Sequence, residues 1–201
     1  MAFPEHTPLT PHHRDLCTRS IWLARKIRSD LTSLLESYVE YQGLNKDVDL
    51  DSMDGVPTAS TDRWSELTEA ERLQANLHAY RTFHVLLTEV LEDQRAQFTP
   101  TERDFHQNIH RVLLQVAAFA YEMEELMALL GHQAPSQETD SVPVDGSHRT
   151  FLEKKLWGLK VLQELMQWTV RSIHDLRLIS SPSQSRVSGR GGQQLAKAQP
   201  M

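Results

Sequence analysis

Between Phe105 and Leu130 the apolar residues Phe105, Ile109, Val112, Val116, Phe119, Met123, Leu126 and Leu130 recur at intervals of 4-3-4-3-4-3-4. A strand alternates every two residues, so only a helix gathers this set onto one face, and that face has to be buried against something. Thr99-Pro100-Thr101-Glu102 just upstream has the form of a capping box. It predicts Thr99 as N-cap and Pro100 at the first helical position, where a missing N–H costs nothing. Gly131 offers the left-handed stop.

Three further segments carry the same period. Leu16, Ser20, Leu23, Ile27, Leu31, Leu34 and Tyr38 mark a first helix that ends near Gly43. Thr68-Glu69-Ala70-Glu71 opens a second, with Leu73, Leu77, Tyr80, Phe83, Leu87 and Val90 on its inner face. Thr150-Phe151-Leu152-Glu153 opens a last one, which buries Leu156, Leu159, Leu162, Met166, Thr169, Ile173 and Leu176 and is closed by Pro182. The chain reads as all-α, a four-helix bundle with helices at about 14–41, 68–94, 100–130 and 151–180. The domain spans 1–180, and 181–201 is a Ser-, Gly- and Gln-rich tail without periodicity, expected to be disordered.

Connection lengths then bear on topology. Each helix is about 40 Å long at 1.5 Å per residue, so starting a parallel neighbour takes at least ~12 extended residues. The connections at 43–67 and 131–149 are long enough, whereas that at 94–98 is not and makes the second and third helices antiparallel. Long, short, long is the loop signature of an up-up-down-down bundle, although a long loop can also join antiparallel helices.

The 201 residues suffice for one sizeable core, and the net charge of -6 argues against a nucleic-acid partner. No apolar run reaches membrane-spanning length, and Met1-Ala2-Phe3-Pro4-Glu5 does not open a signal peptide. One cysteine, Cys17, allows no intrachain disulfide; it reads as a partly buried thiol that can oxidise or link chains, leaving a weak homodimer open. Asp47-Val48-Asp49-Leu50-Asp51 begins like a calcium loop, but Ser52 and Thr58 stand where that loop needs glycine and glutamate. His106 and His110 have a zinc-ligand spacing with Gln107 in place of a glutamate and no third ligand, and read as surface histidines bordering the core stripe. No nucleophile, phosphate loop or dinucleotide fingerprint is present, so catalytic residues, metal ligands and cofactors are all expected to be none.

Two features point outward instead. Arg25 and Arg28 flank Lys26 off the Ile27 core direction, and Arg171 and Asp175 lie opposite Ile173 with Arg177 nearby. Trp64 stands alone in the polar stretch 60–65. Arginine and aromatic side chains are the commonest anchors of protein interfaces.

The strings SIWLARKIRSDL at 20–31, LQVAAFAY at 114–121, EKKLWGLKVLQEL at 153–165 and QWTVRSIHDLR at 167–177, with the stretch 65–74, resemble the ciliary neurotrophic factor family of long-chain four-helix cytokines. The likeness runs in register from Met1 to about Ser181 and is poorest at 131–150 and beyond Pro182. It implies a neurotrophic cytokine that brings together a lipid-anchored ciliary neurotrophic factor receptor α, a shared signal-transducing receptor chain and the leukaemia inhibitory factor receptor. JAK/STAT signalling and neuronal survival and differentiation would follow. Carried over, the α-receptor residues are Arg25, Arg28, Arg63, Trp64, Gln74, Arg171, Asp175 and Arg177. The shared chain is implied to meet the first and third helices.

For the leukaemia inhibitory factor receptor the family signature is a phenylalanine with a lysine three residues on, which falls at Leu152 and Lys155. Phe151 and Lys154 reproduce the spacing one residue earlier, a rotation of about 100° around the helix. The resemblance also implies a protein held in the cytoplasm without a signal peptide, acting outside the cell after non-classical release. A free Cys17 suits that reducing compartment. An amphipathic lipid-binding helical bundle is the alternative, though acidic polar faces and a narrow third-helix stripe speak against it, as they do against membrane insertion.

Overall fold

The computed structural model describes residues 10–45, 47, 48, 50, 53, 55–59, 63–134 and 148–181. They form four helices, α1 (Pro11–Gln42), α2 (Glu69–Asp93), α3 (Arg103–Leu129) and α4 (Phe151–Ser180), with a 3₁₀ turn at Trp64–Glu66 and a π-helical turn at Gln94–Phe98. The tail beyond Ser181, and Asp49, Asp51 and Ser52 of the acidic run, lie outside the described residues.

Local chemistry sets most of the ends. Thr68 and Thr150 each accept from the amide three residues on while Glu71 and Glu153 reach back to the cap amide, so both boxes form. α1 begins earlier than expected, at Pro11, because Thr10 and His13 make a third reciprocal box around a first-turn proline. Gly43 closes it with φ 66°, where a side chain would be strained. Ser181 ends α4 in an extended conformation (φ −67°, ψ 130°), the geometry favoured before a proline.

The expected cap at Thr99 does not form. Thr99 is buried, and its hydroxyl bonds the carbonyl and side chain of Gln94 and, at 3.2 Å, His106 Nε2. α2 therefore runs on through the π turn, and α3 starts at Arg103 behind Glu102, which makes no side-chain cap. The same contact places His106 in the interior rather than on the surface.

Side-chain pairs along the helices fix the topology. α1 runs antiparallel to α3, with His13 Nε2 3.1 Å from Leu129 O and Ser20 donating to Glu122 at 2.7 Å. It is also antiparallel to α4, since Tyr38 near its end donates to Lys155 O at 2.7 Å. α2 opposes the same two helices, through Glu69 with His132 and Arg72 with Asp175. Two helices that both oppose α3 and α4 are parallel to each other, so the bundle is up-up-down-down. The periodic positions read from the sequence supply its core, with Leu23, Leu130, Leu156 and Met166 only partly covered. Tyr80 and Phe119 meet across α2 and α3 with ring centroids 4.2 Å apart. Cys17 is wholly buried in this core, not partly, and burial pushes its thiol up to about 11. An interchain disulfide through it would require α1 to open.

Candidate functional site

Two clusters of aromatic and cationic side chains stand at opposite ends of the bundle. The first is built where the start of α2 meets the end of α4. The long connection from α1 is strapped to α4 by three donors: Lys160 Nζ to Leu50 O (3.1 Å), Trp168 Nε1 to Pro57 O (3.2 Å) and Arg171 Nη1 to Ala59 O (2.9 Å). The strap delivers Trp64, which opens the 3₁₀ turn, onto the Arg171 guanidinium, with the Arg72 guanidinium 5.0 Å from the ring centroid. Arg171 also lies 4.3 Å over Trp168, so it is held between two indoles.

Arg171 and Asp175 therefore do not face solvent as their position opposite Ile173 implied; they are only 9% and 1% exposed. The crossing strap covers the side of α4 that the helical period alone leaves open. Asp175 accepts from Arg72 Nη1 at 3.0 Å and Asn76 Nδ2 at 2.8 Å. Burial nevertheless raises its pKa, outweighing those bonds and the charges of Arg72 and Arg171. Burial likewise pulls Arg171 down to about 10, still charged at neutral pH. Arg63, Gln74 and Arg177 are exposed around Trp64's elements, and Trp64 itself is half-buried. Arg25 and Arg28 are exposed on α1, and stepping along the antiparallel α1–α4 pair from Tyr38 and Lys155 brings them level with the second half of α4. The Arg25 guanidinium lies 5.4 Å from the exposed Trp22 ring.

Sequence reasoning missed Arg72 and Asn76. Both lie on the buried arc of α2 beside Leu73 and Leu77, and a polar pair four apart within an apolar arc was the available signal.

The second cluster surrounds the first turn of α4. Phe151 and Leu152 are 66% and 58% exposed, an unusual pair of neighbouring large apolar side chains. Phe151 meets Phe98 edge-on at 5.8 Å, and Lys155 Nζ lies 5.4 Å from the same ring. Lys154 turns the other way, 3.8 Å from Asp93. The aromatic thus shares its surface with Lys155, four residues on, and not with Lys154 as the three-residue spacing suggested. Phe98 was also missed, since the π turn that presents it has no local sequence signature.

No described helix is long and apolar enough to cross a membrane, and among the described residues no group of three or more His, Cys, Asp and Glu side chains could hold a metal ion.

The family model for ciliary neurotrophic factor matches residues 1–195. The chain is 68% identical over 201 residues to ciliary neurotrophic factor of Homo sapiens, covering the whole of both chains. It is 71% identical over 181 residues to that of Mus musculus, covering 90% of this chain and 91% of the relative. With the Gallus gallus protein of the same name the identity is 47% over 162 residues, 81% of this chain and 83% of the relative.

Proposed function

The chain belongs to the ciliary neurotrophic factor family, a neurotrophic cytokine that acts on cell-surface receptors and not an enzyme, and on that premise we propose that it signals by assembling three different receptor chains. The first cluster, with Arg25, Arg28, Arg63, Trp64, Gln74 and Arg177 outward and Arg171 and Asp175 beneath, binds the lipid-anchored ciliary neurotrophic factor receptor α. The second, with Phe151, Leu152 and Lys155, binds the leukaemia inhibitory factor receptor. The face of α1 and α3 is left for the shared signal-transducing chain. Kinases carried by the receptor chains then phosphorylate one another and a STAT protein.

The observation that carries this reading is the separation of the two clusters. Phe151 and Asp175 are 24 positions apart on one helix, about 36 Å at 1.5 Å per residue. A rigid rod with an aromatic–cationic anchor at each end can hold two receptor chains at once without a clash. Capture by a membrane-anchored α chain raises the effective concentration for the other two contacts, so weak sites suffice there. We further propose storage in the cytoplasm and non-classical release.

STAT phosphorylation in cells bearing all three chains, beside lines lacking one each, tests the assembly. The response is expected only with all three, and an undiminished response in any deletion line removes that chain from the scheme. Within the second cluster, Phe151→Ala is expected to weaken binding to the leukaemia inhibitory factor receptor by about tenfold or more, as truncation of an exposed aromatic anchor does. Leu152→Ala should cost less, because it is Phe151, not Leu152, that meets Lys155's partner ring Phe98. Equal or reversed losses in a surface-binding assay would show that Phe151 is not the anchor.

A further inference from the structure

We infer that Phe98 is a positioning residue of the surface at the start of α4, holding Phe151 and Lys155 in the arrangement a partner meets. The inference rests on the proposed contact of that surface with the leukaemia inhibitory factor receptor.

Phe98 lies on a different element from the residues it serves. It is the last residue of the π-helical turn after α2, and that turn is closed on itself and fastened to two other helices. Gln42 at the end of α1 donates to the buried Gln94 side chain at 2.8 Å, Thr99 N–H donates to Gln94 O at 2.9 Å, and the Thr99 hydroxyl is shared with His106 of α3. π turns recur at functional sites because the extra residue re-aims a side chain. Here it half-exposes Phe98 against the first turn of α4.

One ring then meets two groups of different character. Its centroid is 5.8 Å from that of Phe151 at an interplanar angle of 77°, an edge-to-face contact, and 5.4 Å from the Lys155 ammonium. Phe151 is mostly exposed on the first turn of its helix, and its ring contact is with Phe98 on another element. Each such contact is modest, but together they keep an aromatic and a cation side by side before binding, which lowers the ordering cost at association.

The test is a double-mutant cycle on the intact chain, read as binding to the soluble ectodomain of the leukaemia inhibitory factor receptor. Receptor α binding and the melting temperature are measured in parallel. Phe98→Leu, which keeps apolar volume and removes the ring, is expected to weaken binding by about fivefold while both parallel readings hold. Phe98→Tyr, which restores a ring, should recover most of the loss. On a Phe151→Ala background Phe98→Leu should change binding little, because the group it positions has gone. Additive losses would make Phe98 an independent contact and overturn the inference, as would wild-type binding by Phe98→Leu. If Phe151→Ala itself leaves binding unchanged, the underlying reading of the surface fails and the inference falls with it.

Discussion

Asp175→Ala lowers the stability of the bundle by about 3–5 kcal/mol, and Arg72→Ala does the same, although the pair they form adds little net stability. Asp175 is 1% exposed and accepts from both Arg72 and Asn76. The Asn76 amide also donates to Arg72 O, and its carbonyl accepts from Ser172, whose hydroxyl lies 3.0 Å from that of Tyr80. Deleting the carboxylate strands a guanidinium and an amide in the interior; deleting Arg72 strands a carboxylate. At about 2–4 °C per kcal/mol for a domain this size, either change should lower the melting temperature by on the order of 10 °C.

The raised pKa of Asp175 states the other half. A group whose folded pKa lies above its unfolded value contributes stability in full below the unfolded value, about 3.9 for Asp, and loses it as pH rises through the folded one. At neutral pH the ionised form is therefore tolerated at a cost. Two outcomes follow. The double variant Arg72→Met with Asp175→Leu should retain much more stability in urea unfolding than either alanine variant. The stability of the wild-type chain relative to Asp175→Asn should rise as pH falls toward 4. A double variant as unstable as the singles would mean that the pair is a true net gain. Receptor α binding should fall together with stability in Asp175→Ala, since the side chain supports Arg72 under Trp64 from inside. Lost binding with unchanged stability would instead make Asp175 a direct contact.

What the sequence made legible was whatever a few neighbouring residues decide. The cap boxes at Thr68 and Thr150 form because donor and acceptor lie three residues apart, and the four apolar stripes bury because their period is local. The box at Thr99 had the same local form but lost its hydroxyl to Gln94 and His106, partners that tertiary packing brings in. Arg171 and Asp175 were misjudged for a related reason. A helical period shows which side faces the other helices and says nothing about a long connection returning to cover another side. The three donors from Lys160, Trp168 and Arg171 to that strap bind carbonyls about 110 residues away, a span no local pattern reports. At the other end, Phe151 was found only through the shifted family signature, and its sharing of a surface with Lys155 rather than Lys154 depends on Phe98, which belongs to another element.

Gly158→Ala should destabilise the protein by about 2–3 kcal/mol, the reverse of the roughly 1 kcal/mol gain that helix propensity alone predicts for an interior glycine. A methyl group built at Gly158 runs into the Tyr38 hydroxyl and lies 3.0 Å from Tyr38 Cζ. Tyr38 cannot swing aside. It is almost wholly buried, its hydroxyl donates to Lys155 O at 2.7 Å, and burial pushes its pKa well above the usual phenol value. Either the ring shifts and gives up that bond or α4 moves away from α1, and both forfeit packed contact. Tyr38→Phe on its own should cost about 1 kcal/mol for the lost hydrogen bond. Combined with Gly158→Ala it should recover part of the larger loss, because the atom in closest collision has been removed. Thermal unfolding of the three variants decides the matter, and a double variant no more stable than Gly158→Ala would locate the strain elsewhere. The position also couples packing to signalling. The carbonyl that Tyr38 holds belongs to Lys155, one turn from Phe151, so a displaced ring loosens the first turns of α4. Gly158→Ala should therefore weaken the contact with the leukaemia inhibitory factor receptor more than that with receptor α, whose cluster lies about 36 Å away along the same helix.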